Sequence, residues 1–503
     1  MTTSKQKYRH IFDTTHLQSD LKKRSLRSGM VTVGSQAVMF IIQLGSTMIL
    51  ARILSPQDYG INAMAVSITG FAGIFSSLGL STATVQRKNI NHEQVSTLFW
   101  INAAIGLLIT LVVAAVSPVV AWFFKTPEML KVMLSLSVIF ITGGLNIQHS
   151  ALLTRQMRFY TLAKIRILSL TGGILVAIIT GYYGFGYWAL IFNTLTNVTL
   201  MTIGCWLSCN WIPGLPYRHS GVGAMIRFGS DLMGFNAINY FSRNMDNVLI
   251  GRYHGSGALG LYSKAYQLLM MPITNLRDPM TSVALPALSR LQNDPDLYKN
   301  YYLKCVSLLA FVSMPLVGFM LVYSDQLIHL LLGPQWIGAS VIFKILAIAA
   351  FVQPVSGTLG MVLISTGRSR LYLKMGVFSA VVICSSFAMG LPWGGKGVAA
   401  GYAAANYLVL FPTVYYTFKG TAIRSKDFLY AVGKPLISSL IMVAGCFLLF
   451  CFSQHMNTVI SLAVGGFAAI LIYFSVFACL FSGLNELHDY YSYGKLIFER
   501  KNR

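Results

Sequence analysis

Asn236, Asn239, Arg243, Asp246 and Asn247 recur at spacings of mostly three and four in a run otherwise rich in Phe, Met, Ile and Leu. On an α-helix that spacing gathers them into one polar stripe. The chemistry it offers is recognition rather than bond-making. A guanidinium presents paired donors to anionic oxygens, and amides donate to and accept from hydroxyl groups. Arg243 and Asp246, at i and i+3, have the spacing of a simple structural pair, but the asparagines extend the stripe beyond any single pair. Gln36 and Gln43 stand 200 positions before Asn236 and Arg243, so a second run carries amides at matching heights.

Further charges lie within apolar runs: Lys264, Arg277 and Asp278, and Lys344. A central arginine costs about 2.5–3.5 kcal/mol to insert into a bilayer, so such groups face protein or water rather than lipid. Lys264 and Lys344 lie near the ends of their runs, where a long side chain reaches the headgroups as readily as it lines a cavity. Arg277 is deeper, which favours a cavity. Arg277 and Asp278 are neighbours in sequence and are expected to point in different directions, while Asp231 and Asp325 are expected at the membrane interface. Pro272 and Pro279 lie inside the same run, with Pro286 beyond them, and each removes a backbone donor and favours a bend.

The elements that position these residues follow from composition. The chain of 503 residues is 55% hydrophobic and 11% charged, with a mean hydropathy of +0.62. Soluble domains carry about 25% charged residues, so most of this chain is expected to face lipid or other buried helices. Apolar runs long enough to span a bilayer fall at 30–50, 61–80, 95–123, 130–150, 165–182, 187–207, 222–250, 258–285, 302–322, 339–365, 371–391, 398–418, 428–452 and 459–481. The fold class is therefore all-α integral membrane, with about fourteen transmembrane helices. Basic residues crowd the first 29 positions, alternate loops and the C-terminal tail, and cationic loops stay cytoplasmic. Both termini are expected inside, and the net charge of +23 is mainly a record of topology.

The segment 26–60 recurs weakly at 226–260. Arg27, Gly29, Gly34, Ala37, Arg52 and Gly60 align with Arg227, Gly229, Gly234, Ala237, Arg252 and Gly260. An interval of six crossings preserves direction, so the repeat predicts two parallel, pseudo-symmetric six-helix lobes. The expected organisation is a basic cytoplasmic tail (1–29), an N-lobe (30–207), a linker (208–221), a C-lobe (222–420), two extra C-terminal helices (421–482) and a cytoplasmic tail (483–503). Duplicated membrane units commonly hold substrate between their repeats near the midplane.

Other function classes find little support. Loops are too short for a soluble catalytic domain, and no Gly-rich loop ends in Gly-Lys-Ser/Thr. The seven cysteines scatter along apolar runs without the His or acidic companions of a metal site, and read as small packing residues. No apolar core follows the first basic residues until position 30, so a cleavable signal is not expected. Nucleic-acid binding, a cofactor and enzymatic activity are likewise not expected.

Several segments resemble a known family. The run Leu50-Ala51-Arg52-Ile53-Leu54-Ser55-Pro56-Gln57-Asp58-Tyr59-Gly60 resembles the outer turn of polysaccharide exporters. Gly79-Leu80, Val85-Gln86-Arg87-Lys88, Thr97-Leu98-Phe99-Trp100-Ile101-Asn102 and Leu285-Pro286-Ala287-Leu288-Ser289-Arg290-Leu291-Gln292 are similar to that family's pattern. Together they look like the polysaccharide transporter family (Wzx-type oligosaccharide flippases, close to colanic-acid exporters) of the multidrug/oligosaccharidyl-lipid/polysaccharide exporter superfamily. The resemblance implies an inner-membrane flippase for a polyprenyl-pyrophosphate-linked oligosaccharide, working among membrane lipids beside a polysaccharide polymerase and chain-length machinery. Arg243, Arg277, Lys264 and Lys344 would then meet phosphate or acidic sugars. Asn236, Asn239, Asn247, Gln36 and Gln43 would meet sugar hydroxyls. A multidrug exporter, a lipid II flippase, a membrane glycosyltransferase and a non-transporting scaffold are the competing expectations.

Overall fold

The computed structural model describes residues 12, 21–76, 80–87, 90–217, 223–452 and 456–480. Every element among them is helical: α1 (Leu21–Ile53), α2 (Pro56–Ser76), α3 (Leu80–Gln86), α4 (His92–Phe124), α5 (Glu128–Arg155), α6 (Phe159–Tyr182), α7 (Trp188–Cys209), α8 (Gly223–Leu291) and α9 (Pro295–Val322). There follow α10 (Ser324–Leu331), α11 (Gly338–Ala350), α12 (Gln353–Ser356), α13 (Leu359–Ser365), α14 (Ser369–Gly390), α15 (Gly394–Phe418), α16 (Ser425–Phe452) and α17 (Thr458–Leu480). The chain forms two compact units, residues 1–260 and 261–503, so the division falls inside α8.

Among the described residues, ten helices are long and apolar enough to cross a membrane, with Ser369–Phe418 counted once, and the pair Gly338–Ala350 and Gln353–Ser365, bent by 43°, makes eleven. The expected crossings at 222–250 and 258–285, both within α8, are not among them, because charged and amide residues dilute their hydropathy. α8 runs for 69 residues, on the order of 100 Å at helical rise, too long for one straight crossing. It breaks at Gly255, where φ is 79° and ψ −179°, a backbone region open almost only to glycine.

In the first unit α4 packs chiefly on α5, and α6 on α7. α4 begins with a capping box. The Asn91 side chain accepts from the Gln94 amide at 2.9 Å, while the Gln94 side chain accepts from the Asn91 amide at 3.3 Å. Between helices in lipid there is no hydrophobic driving force, so close van der Waals approach holds them. The α2–α8 crossing shows this most sharply. A Cβ on Gly60 would lie 1.7 Å from the Ser256 carbonyl oxygen, and one on Gly260 would lie 1.8 Å from that of Pro56. Both glycines, aligned by the repeat, let backbone meet backbone reciprocally. Leu98, Phe99, Leu152, Leu162, Cys205 and Trp211 form the core at one end of this unit.

In the second unit α9 lies against α16, α14 against α15, and α17 closes on α16. Its smaller core joins Val322, Tyr323, Met442, Cys446, Ala469 and Tyr473. All described cysteines are free; Cys205, Cys209 and Cys446 are buried as packing residues, whereas Cys451 and Cys479 are exposed and depart from that expectation.

Candidate functional site

In the first unit the polar residues expected to form one stripe differ in exposure. Gln36 and Gln43 are both exposed on α1, and Asn239 and Arg243 are exposed on α8. Tyr240, on the face between them, anchors α8 by donating from its hydroxyl to the Val66 carbonyl at 3.0 Å. The Arg243–Asp246 ion pair is not formed: Arg243 has no ion pair among the described residues. Asp246 turns inward, 4% exposed, and its Oδ1 accepts from the Asn247 backbone amide at 2.7 Å. Asn247 is half-buried with its Oδ1 enclosed. Asn236 lies on the helix, but its side chain is outside the described residues, as are Asp231's side chain, Arg218 and the tail residues 483–503. Arg252 stands over the Phe123 ring at 5.5 Å, which binds a cation to the outer end of α4.

In the second unit the expected cations are each accounted for locally. Lys264 is buried and donates to Gln267 Oε1 at 3.0 Å. It does not snorkel, being buried beneath the exposed Gln267. Arg277 corrects the expectation that it and Asp278 diverge. Its Nε and Nη2 donate to Asp278 Oδ1 at 3.1 and 2.9 Å, because the long side chain curls back over its neighbour. The same side chain lies against Gly357, beside the α12–α13 break. Lys344 pairs with Asp325 at 2.6 Å. Burial raises the Asp325 carboxyl, but hydrogen bonds from Lys344 and Ser340 outweigh it and hold the group below the usual carboxylate range. Lys344 also heads an apolar groove of about 460 Å³ lined by Leu321, Val322, Leu440, Val443, Phe447 and Phe450.

Arg155 and Lys434 belong to the basic residues expected in alternate loops, and the structure instead buries both within helices. Arg155 is 7% exposed and donates to the carbonyls of Thr84 and Val85 at 3.0 and 3.4 Å and to Arg87 at 2.5 Å, capping the C-terminal end of α3. Lys434 is buried within α16, its ammonium 4.9 Å from the Tyr430 ring centre. The segment 210–217, expected as a free linker, is tied to the first unit. Gly214 bonds Ser96 and Trp100, Tyr217 bonds Thr97, and His149 meets the Trp211 carbonyl at 3.2 Å. No group of three metal-ligating side chains occurs among the described residues. The described arrangement offers hydrogen bonding and charge, with no nucleophile set beside a base.

Residues 49–341 match the family described as polysaccharide biosynthesis protein. The chain is similar to the lipopolysaccharide biosynthesis protein WzxC of Escherichia coli (strain K12), 24% identical over 73% of this chain and 75% of that one. It is 25% identical to the succinoglycan biosynthesis transport protein ExoT of Rhizobium meliloti (strain 1021), over 88% of this chain and 90% of the other. Among solved structures it shares its fold with a lipid II flippase, MurJ, in an inward closed conformation, at a TM-score of 0.71 and 15% identity, covering 91% of this chain and 99% of that one. Its long apolar helices make it a multi-pass membrane protein. The matched segment covers more than half of the sequence, and the chain belongs to the polysaccharide biosynthesis protein family.

Proposed function

We propose that this protein moves a polyprenyl-pyrophosphate-linked oligosaccharide repeat unit across the bacterial inner membrane by alternating access, supplying a surface polysaccharide. The observation that carries the reading is the family itself. Its members here are named for lipopolysaccharide, teichuronic acid and succinoglycan biosynthesis, and one is named a transport protein. Polymers so different share one need, passage of a glycan across the membrane. In this reading fourteen crossings form lobes at 30–207 and 222–420 joined by 208–221, with 421–482 added and both termini cytoplasmic. The exposed Arg243 receives pyrophosphate oxygen, and Gln36, Gln43, Asn236, Asn239 and Asn247 meet sugar hydroxyls. Lys264 adds positive potential, Lys344 acts together with Asp325, and the inward-turned Asp246 serves ion coupling. No bond is made or broken in the cargo, and the polymerase acts on the delivered unit.

Deleting the gene is expected to lower surface polysaccharide and to pile up lipid-linked intermediates in the inner leaflet. Arg243→Ala, at normal membrane abundance, is expected to reproduce part of that defect, on the order of tenfold for one charge-assisted contact. Unchanged polymer and intermediates would remove Arg243 from the mechanism. A lipid II flippase would instead rescue cells depleted of that activity, and a drug exporter would alter drug sensitivity with polysaccharide untouched.

A further inference from the structure

Beyond its break, α8 exposes a polar stripe, flanked toward its C-terminal end by exposed Val283, Pro286 and Arg290. Gln267, Asn275, Asp278, Ser282 and Ser289 are all exposed, at steps that are sums of threes and fours. At 3.6 residues per turn they fall within about a third of the helix circumference. The opposite face carries Tyr262, Ala265, Leu269, Ile273, Ala284 and Leu288, all buried. A helix with one apolar buried side and one side of amides, hydroxyls and a carboxylate does not turn that second side to hydrocarbon.

The charges along this stripe are arranged to cancel. Asp278 is exposed, with 63% of its side chain open, yet Arg277 bonds its Oδ1 twice from the flank and is itself only 22% exposed. The guanidinium is thus turned aside and the carboxylate is presented. Both bonds fall on Oδ1, which leaves Oδ2 with acceptor capacity to spare, and the negative charge is balanced at contact distance. Lys264 is similarly withdrawn behind Gln267, which stands at the surface in its place. What α8 presents is rich in neutral amides and hydroxyls around one compensated acceptor. Such a surface suits vicinal hydroxyl groups and is poorly suited to a pyrophosphate.

From this arrangement we propose that residues 267–289 of α8 form a rail for the sugar moiety of the cargo, with Asp278 and Asn275 as its specificity-determining centre. The proposal rests on the export reading above and assigns the glycan, rather than the lipid anion, to this face. Asp278 accepts from paired sugar hydroxyls, Asn275 adds a donor and an acceptor, and Ser282 and Gln267 extend the contact along the helix. Arg277 is then a positioning residue, neutralising Asp278 so that the carboxylate does not repel an anionic lipid.

The test uses the full-length protein in detergent and two probes. One is undecaprenyl pyrophosphate without sugar; the other is the sugar-bearing lipid fraction that accumulates in the deletion strain. Asp278→Ala and Asn275→Ala, both at exposed positions, are expected to weaken binding of the sugar-bearing lipid about tenfold and leave the bare lipid within about twofold. Asp278→Asn, which keeps an acceptor, is expected to retain most of the affinity. Equal weakening toward both lipids, or no change toward either in variants that elute like the wild type, overturns the rail. Failure of the deletion strain to accumulate any sugar-bearing lipid overturns the export reading, and the rail with it.

Discussion

Arg155 illustrates what a single residue type conceals. In the sequence it is one cation among Arg158, Lys164 and Arg166, and counting such residues is how orientation is read. In the structure its guanidinium is buried against carbonyls at the end of α3. Arg155→Ala is expected to destabilise the first unit by about 1.5–3 kcal/mol, the worth of hydrogen bonds to a charged group, read as a lower melting temperature in detergent. Arg155→Lys is expected to recover little, since one ammonium cannot reach as many carbonyls. Asp325 gives a test with a pH sign. Its pKa is depressed in the folded protein, so the pair with Lys344 stabilises above the ordinary carboxylate range and is lost as pH falls through the folded value. The pair is partly exposed, so its worth is about 0–1 kcal/mol. Asp325→Asn is expected to lower the melting temperature slightly at pH 7 and progressively less as pH falls through the depressed folded value. Polar residues inside apolar runs were legible as the places to look. Their partners were not, because the curl of Arg277 onto Asp278 and the inward turn of Asp246 depend on rotamers and neighbours that spacing does not encode.

At the level of elements, apolar run lengths gave the helices, and the capping box at Asn91 and Gln94 marked a start that composition alone would blur. The break at Gly255 was harder to see, since nothing in a Gly-Ser-Gly stretch says which glycine takes positive φ. Gly255→Ala is expected to cost about 1–3 kcal/mol, the strain of a side chain in that region, measured as a loss of thermal stability. The 210–217 segment read as a linker from Pro213, Gly214 and Pro216, and its composition is loop-like as expected. Its attachment came from side chains more than a hundred residues away, Ser96, Thr97 and Trp100, which no local pattern links to it. The polar stripe after Gly255 did have a local signal in its heptad step from Asn275 through Ser282 to Ser289, masked by the charges and prolines beside it.

For the whole molecule, the repeat was the one long-range relation visible in the sequence, and Gly60 with Gly260 is where it becomes a physical contact. Gln57 and Gly257 face each other beside it, a Cβ on Gly257 lying 3.7 Å from Gln57 Cγ. Gln57→Cys with Gly257→Cys is therefore expected to cross-link under mild oxidation. If transport parts α2 from α8 there, oxidation stops export and a reductant restores it; export indifferent to the bridge would mark the contact as permanent. The reciprocal glycines also bear on how such a protein can be recombined. Each spares room for main chain, Gly60 for that of Ser256 and Gly260 for that of Pro56, so both helices share the crossing. A chimera spliced between positions 60 and 256 inherits one glycine from each parent, and a single bulky side chain from either donor would wedge the seam open.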